Sequence, residues 1–419
     1  MISREKIALK RRSNATRTIR SKTLLVLSMI IPVFLLFSFR DLASLDDGSH
    51  TKDSIVKSSG KISSNDQTSI QKSKESWCDT VKRARSKLDP MFHIDVPCEK
   101  MKPAKSAIVS MITGGAPEGK GSRVVFEGGD YVKGTLALGA SLLDNLKSDD
   151  VHKLLLVKKG FPLPEEHVKN LEAVGWTMGV SPDINVEAKY MPRFGRYKNV
   201  YPKISIIGLE EYDCVFFVDA DTLTVGSIDD LMTCSLFDKP EYIIAGGLDF
   251  YHRKWKHFNT GATLWKTSAA ELERVFAKTK DESFMRRFES DQIFINEVYA
   301  DRHDTAFNSK LLEAEINNDQ SEFESMKKDF GQVQHLPWKY NAQTHVEFQN
   351  PSFWNKRAED NRVLHFTERK GWQCPEKYSP PADKDSKRCT PNNDDLDCAC
   401  REGYKWYTYL KKAYEITKK

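Results

Sequence analysis

The stretch that decides the fold is Cys214-Val-Phe-Phe-Val218, followed by Asp219-Ala220-Asp221-Thr222 and then Leu223-Thr-Val-Gly-Ser-Ile-Asp-Asp-Leu231. Its first five residues are apolar, β-branched or aromatic on both faces, the pattern of a strand buried in a parallel sheet. The run stops abruptly at two carboxylates separated by a single residue. A buried strand that ends in Asp-x-Asp sets those side chains at the carboxyl edge of the sheet, where open α/β folds bind ligands. Two hard oxygen donors so close together repel each other unless a cation lies between them, which points to Mg²⁺ or Mn²⁺. The alternative, a turn and a helix cap, needs only one of the two aspartates.

Upstream of this stretch the chain alternates strand and helix. Ser106–Ile112 reads as a first strand, ending at Thr113-Gly114-Gly115. Tyr131–Leu146 reads as a helix whose Gly134, Ala137, Gly139 and Ala140 permit close approach to a sheet or ligand. Lys153–Val157 and Trp176–Val180 read as strands with a helix, Pro164–Val174, between them, and a helix over Pro202–Leu209 leads into Cys214. This spacing predicts a largely parallel sheet with helices on both faces. No GxGxxG or Walker sequence follows the first strand, which disfavours dinucleotide and P-loop sites.

A chain of 419 residues holds one large α/β domain or two smaller ones, plus tails. Its charge is unevenly spread. Met1–Arg40 carries nine Lys/Arg against one Glu, a net +8, which leaves −3 on the remainder of a chain whose total is +5. A mildly acidic globular part disfavours a nucleic-acid partner.

The basic residues precede an apolar segment, 23–39, interrupted only by Thr23, Ser28 and Ser38 and free of charge. Its length meets the lower end of the roughly 17–25 residues that a membrane span needs, and Pro32 is tolerable in lipid. Cationic residues lie before it and Asp41, Asp46 and Asp47 after it. The positive-inside rule then gives a cytosolic tail (1–22), a signal anchor (23–39) and a type II topology with the rest of the chain lumenal; the expected location is the Golgi or ER membrane. A cleaved signal peptide competes; its apolar core is usually about 7–15 residues, and Ala43-Ser44 is a poor cleavage site. Residues 40–76 are rich in Ser, Lys, Asp and Gln without periodicity, the composition of a disordered stem.

Eight cysteines suit a lumenal placement. Disulfides are expected among Cys78, Cys98, Cys374, Cys389, Cys398 and Cys400. A zinc site in the last group lacks paired CxxC spacing, and Cys214, inside the buried strand, is expected as a packed free thiol. The one unblocked sequon, at Asn14, falls in the cytosolic tail, because Pro351 blocks Asn350.

Seven blocks then recur in order: Tyr131-Val-Lys-Gly-Thr-Leu-Ala-Leu-Gly-Ala-Ser-Leu142, Tyr201-Pro-Lys203-Ile204, Val218-Asp-Ala-Asp-Thr-Leu223 with Ile228-Asp-Asp-Leu231, Phe258-Asn259-Thr260-Gly261, Ser290-Asp291-Gln292, Leu336-Pro-Trp-Lys-Tyr340-Asn341 and His365-Phe-Thr-Glu-Arg-Lys370-Gly-Trp372. Together they resemble the glycogenin-like glycosyltransferases, family 8, over about Ser106 to Trp372. The resemblance implies a GT-A-type α/β fold, a Rossmann-like mixed sheet flanked by helices, with a catalytic domain over 77–372. It also implies a UDP-sugar donor, a glycan, polysaccharide or glycoconjugate acceptor, retention of anomeric configuration, and Mn²⁺ with Mg²⁺ as the alternative. By the same resemblance Asp219, Asp221 and His365 hold the metal. Asp219, Ala220, Asp221, Lys203, Asn259, Gly261, Asp291, Gln292 and Lys370 bind the donor, and Asp291, Lys203 and Gln292 serve catalysis. Two departures stand out: Gly371 replaces the proline of the family's lysine-proline-tryptophan, and Glu368 replaces a glycine.

The chemistry agrees with these residue types. Negative charge builds on a departing diphosphate, and a divalent cation acts on it as a Lewis acid; carboxylates with an imidazole suit Mn²⁺ better than Ca²⁺. Lys370 is the candidate cation for the diphosphate. Arg193 and Arg196 are further candidates, the alternative being a solvated cationic loop. Retention allows a carboxylate nucleophile, Asp291, or front-face attack in which the leaving phosphate deprotonates the acceptor; no second acid/base partner is marked. Residues 373–419 form a Cys- and aromatic-rich extension. There Tyr404, Trp406, Tyr407, Tyr409 and Tyr414 either pack on the domain or present rings to an acceptor. Two other readings remain: an aspartyl-nucleophile phosphohydrolase, which wants Thr or Val where Leu223 stands, and an inactive carbohydrate-binding protein.

Overall fold

In the computed structural model, the strands are β1 (Ser106–Ile112), β2 (Val151–Lys158), β3 (Thr177–Ser181), β4 (Cys214–Val218), β5 (Thr222–Thr224), β6 (Ile244–Leu248), β7 (Phe258–Lys266), β8 (Val333–His335), β9 (Ala342–Gln343) and β10 (Val363–His365). The principal helices are α1 (Trp77–Arg85), α2 (Gly128–Asn145), α3 (Glu165–Ala173), α4 (Asp229–Met232), α5 (Ala269–Lys280) and α6 (Asp291–Val298). A long C-terminal helix follows over Gly403–Thr417. The structure describes residues 76–99, 101–113, 128–161, 163–184, 188–190, 201–237, 242–250, 258–285, 290–299, 333–367, 369–374 and 402–419, with isolated positions such as 186, 314, 315 and 400. The expected tail, anchor and nearly all of the stem lie outside them, as do Arg193, Arg196, Glu368, Cys389 and Cys398. Among the described residues no helix is long and apolar enough to cross a membrane.

Seven strands form one sheet in the order β3-β2-β1-β4-β7-β6-β8, and β5-β10-β9 form a small second one. The first half matches the expectation from strand-helix alternation: β2 with β3, β1 with β2 and β1 with β4 are parallel. The second half departs from it at β7, which runs antiparallel to β4 and β6, while β6 and β8 are again parallel. The result is the mixed sheet that the resemblance implies. The difference serves the site, because an antiparallel neighbour begins where β4 ends. Val218 pairs with Ala262, which places the Asn259-Thr260-Gly261 start of β7 beside the Asp219 tip. The segment expected as a helix before β4 is a 3₁₀ helix, Tyr201–Gly208, with every residue buried. Its β-branched isoleucines lower helix propensity, and the Ser205 hydroxyl bonds back to the Pro202 carbonyl at 2.7 Å.

The central strands β1 and β4 are buried on both faces, as their largely apolar sequences require. Successive residues feed two cores. Cys214, Phe216 and Val218 point with Ile108 and Leu155 toward α2 and the C-terminal helix. Val215 and Phe217 point with Val109 and Leu156 toward Tyr201, α5 and α6. Cys214 is not the free thiol expected of it: it forms a disulfide with Cys234, their Cα atoms 5.8 Å apart. After β5 the chain turns through α4 and returns Cys234 to the α2 side of β4, an approach that residue spacing alone does not reveal. Cys78–Cys98 and Cys374–Cys400 are the other pairs among the described residues. In the C-terminal helix, Trp406 is fully buried while Tyr404 and Tyr414 remain exposed.

Candidate active site

The two sheets meet at the tip of β4. A tight turn follows Val218, closed by bonds from the Thr222 amide (3.1 Å) and hydroxyl (2.7 Å) to the Asp219 carbonyl. β5 then pairs antiparallel with β10, setting Thr222 opposite His365. The Phe366 amide also donates to the Asp221 carbonyl at 2.9 Å. These backbone bonds bring a distant imidazole to the paired carboxylates. Asp219, Asp221 and His365 each offer a ligand atom, all within 4.8 Å of one another.

The orientation of His365 follows from a chain of hydrogen bonds. The Gly261 amide, an obligatory donor, bonds to Asn259 Oδ1 at 3.0 Å. Asn341 Nδ2 therefore donates to the same oxygen, at 3.1 Å. That leaves Asn341 Oδ1 as acceptor for His365 Nδ1, at 3.0 Å. The imidazole proton thus sits on Nδ1, and the lone pair of Nε2 faces Asp221 Oδ1 at 3.6 Å.

The residues present fit a divalent cation. Asp221 Oδ1 is buried without a hydrogen-bond partner, a costly state for a carboxylate oxygen unless something else binds it. Beside it, a Cβ on Gly261 would lie 2.1 Å from His365 Cε1 and 2.8 Å from Asp219 Oδ2. Glycine there keeps open a space framed by two of the three ligands.

Two lysines balance the carboxylates. Burial opposes ionisation of Asp221, but the Lys370 ammonium on its other oxygen outweighs it and holds its carboxyl well below the usual range. Lys370 Nζ contacts Asp221 Oδ2 and also donates to the carbonyls of Phe366 (2.9 Å) and Thr367 (3.1 Å). Asp219 keeps 36% of its side chain exposed. The protein packed around it, against the pull of Lys203 and with the added repulsion of Asp221, raises its pKa. Lys203 is buried over the Phe217 ring, its Nζ 2.6 Å from Asp291 Oδ2 and 3.2 Å from Asp219 Oδ1. Burial alone would lower its pKa; the two carboxylates raise it instead.

Asp291 opens α6 behind the Ser290 cap and also accepts from the Thr260 hydroxyl at 3.3 Å. Gln292 accepts from the Thr260 amide (3.2 Å) and donates to Asp249 Oδ2 (2.7 Å). Asp219, Ala220, Asp221, Lys203, Asn259, Gly261, Asp291, Gln292, His365 and Lys370 therefore form one connected region. The Ala220 carbonyl enters it from the α2 side, 2.3 Å from where a Cβ on Gly134 would stand. Sequence reasoning missed Asp249 and gave Asn341 no role. Asp249 directly follows the apolar strand β6, the same strand-then-carboxylate signal that marks Asp219. Asn341 gives no local signal, because its task depends on partners far away in the chain.

No protein-family model matches the chain. Over 200 residues it is 28% identical to inositol phosphorylceramide glucuronosyltransferase 1 of Arabidopsis thaliana, covering 46% of this chain and 34% of that protein. The chain thus matches about a third of the length of this curated relative. Similar solved structures include the bifunctional glycosyltransferase WbbM, with a TM-score of 0.43 and 13% identity over 65% of this chain and 48% of that one. GlyE of Streptococcus pneumoniae TIGR4 gives a TM-score of 0.41 and 15% identity over 74% and 64% of the respective chains. The galactosyltransferase LgtC gives 0.39 and 12% identity over 73% and 95%.

Proposed function

We propose that the protein is a retaining glycosyltransferase that moves a hexose-type sugar from a UDP-sugar to a glycan, polysaccharide or glycoconjugate. The observation that carries this reading is the convergence of Asp219, Asp221 and a His365 whose Nε2 is left free to ligate. These three residues would hold the cation, with Mn²⁺ preferred over Mg²⁺ by the imidazole. Bound there, the ion supplies Lewis-acid stabilisation of a departing diphosphate. Lys370, on the same carboxylate, is placed to add a second positive charge. Asn259, Asp291 and Gln292, with Asp249, line the adjoining region and are suited to hydrogen-bond sugar hydroxyls. Asp291 is pinned by Lys203 and Thr260. That restraint favours front-face attack over a carboxylate nucleophile that must swing toward the anomeric carbon.

The relative's name supports a sugar transferase, and it makes glucuronate a donor worth testing and a glycolipid an acceptor worth testing. With segment 23–39 as a signal anchor, the enzyme would be a type II protein of the Golgi or ER membrane, its active site in the lumen. The test is a panel of UDP-sugars, UDP-glucuronate included, with Mn²⁺, scoring UDP release with and without candidate acceptors. One donor is expected to release UDP in an EDTA-sensitive way. Release that persists in EDTA, or none from any donor, would contradict the assignment.

A further inference from the structure

Lys370 is carried by a loop rather than by the sheet, at the threshold of the 3₁₀ turn Gly371–Gln373. Its side chain reaches Asp221, yet the backbone around it is seated on the C-terminal helix. A Cβ on Gly371 would lie 2.3 Å from the Trp406 ring, so the loop backbone rests directly on the indole. Trp372 meets Trp406 edge-on at 6.0 Å and Tyr131 at 5.3 Å. Two residues further, Cys374 is disulfide-bonded to Cys400, just before the helix begins. The Tyr407 hydroxyl donates to the Cys374 carbonyl at 2.8 Å. The helix is in turn fixed to α2 by the Lys412–Asp144 ion pair and by the bond from Asn145 to Tyr409. α2 presses Gly134 against Ala220, between the paired aspartates.

We propose that the disulfide-tethered C-terminal helix is a brace that sets Lys370 in the donor site, with Trp406 and the Cys374–Cys400 bridge as positioning residues. The extension beyond Trp372 is then part of the donor-binding machinery. A lysine side chain on an unsupported loop loses binding energy to its own ordering, and a preorganised one does not. The proposal rests on reading Lys370 as the cation for the donor's diphosphate.

The test is a thermodynamic cycle on UDP affinity, measured by calorimetry with Mn²⁺ present. Trp406→Ala and the double variant Cys374→Ser/Cys400→Ser are each expected to weaken UDP binding about tenfold. Trp406→Phe keeps a ring over Gly371 and removes an indole N–H that is buried without a partner, so it is expected to bind like the wild type. In a Lys370→Ala background the same changes are expected to cost nothing further, which a general loss of packing would not produce. If Trp406→Ala does not fold, the cysteine pair alone completes the cycle. Unchanged affinity in the cysteine variant, or losses that add fully to that of Lys370→Ala, would overturn the brace. UDP binding by Lys370→Ala equal to the wild type would instead overturn the reading of Lys370 itself.

Discussion

At Gly261 the space between the metal ligands is decided by one hydrogen atom in place of a methyl group. A Cβ there would collide with both His365 and Asp219, so Gly261→Ala is expected to weaken Mn²⁺ binding about tenfold or more while the unfolding midpoint moves little. Electron paramagnetic resonance of free Mn²⁺ during a protein titration reads this directly. Lys203 makes the opposite prediction. Its ammonium neutralises two carboxylates from a nearly sealed position, and removing one partner of a buried pair strands the other. Lys203→Met should therefore cost about 3–5 kcal/mol in denaturant unfolding; a loss of activity with full stability would mean that the lysine acts on substrate alone. Of these residues, the aspartate pair was legible because a strand that stops at two acids carries its own signal. His365 was legible only through the resemblance of its surrounding block, since an isolated histidine between apolar residues reads as packing. The Asn259–Asn341–His365 relay was not legible at all, because no spacing rule links positions on β7, the approach to β9 and β10.

Among the elements, β1 and β4 were readable to the residue, since β4 is an unbroken apolar run, β1 is apolar but for Ser106 and Ser110, and both end sharply. β7 was not. Its direction depends on pairing between β4 and a segment that arrives after a long excursion, and a strand's own sequence does not state which way its neighbour runs. The same limit hid the Cys214–Cys234 bridge, which clips the α4 return to the first residue of β4. The bridge closes a loop of 20 residues, for which the chain-entropy account gives about 3 kcal/mol. Cys214→Ser with Cys234→Ser should lower unfolding stability by roughly 2–4 kcal/mol without changing the denaturant slope greatly. A variant as stable as the wild type would show that α4 is held by packing alone.

On the scale of the whole molecule, a mixed sheet carries a core on each face and gathers the ends of β4 and β6 and the start of β7 at one edge, where β10 of the second sheet joins them. Asp219, Asp249, the Asn259–Gly261 run and His365 all lie there. Everything claimed for function needs that edge to be one cation site that governs nucleotide affinity. The most direct measurement is a calorimetric titration of UDP into the wild type and into Asp221→Ala, each with and without Mn²⁺. Mn²⁺ is expected to tighten UDP binding by the wild type at least about tenfold and to leave Asp221→Ala unaffected. Equal tightening in both proteins, or none in the wild type, would contradict the site.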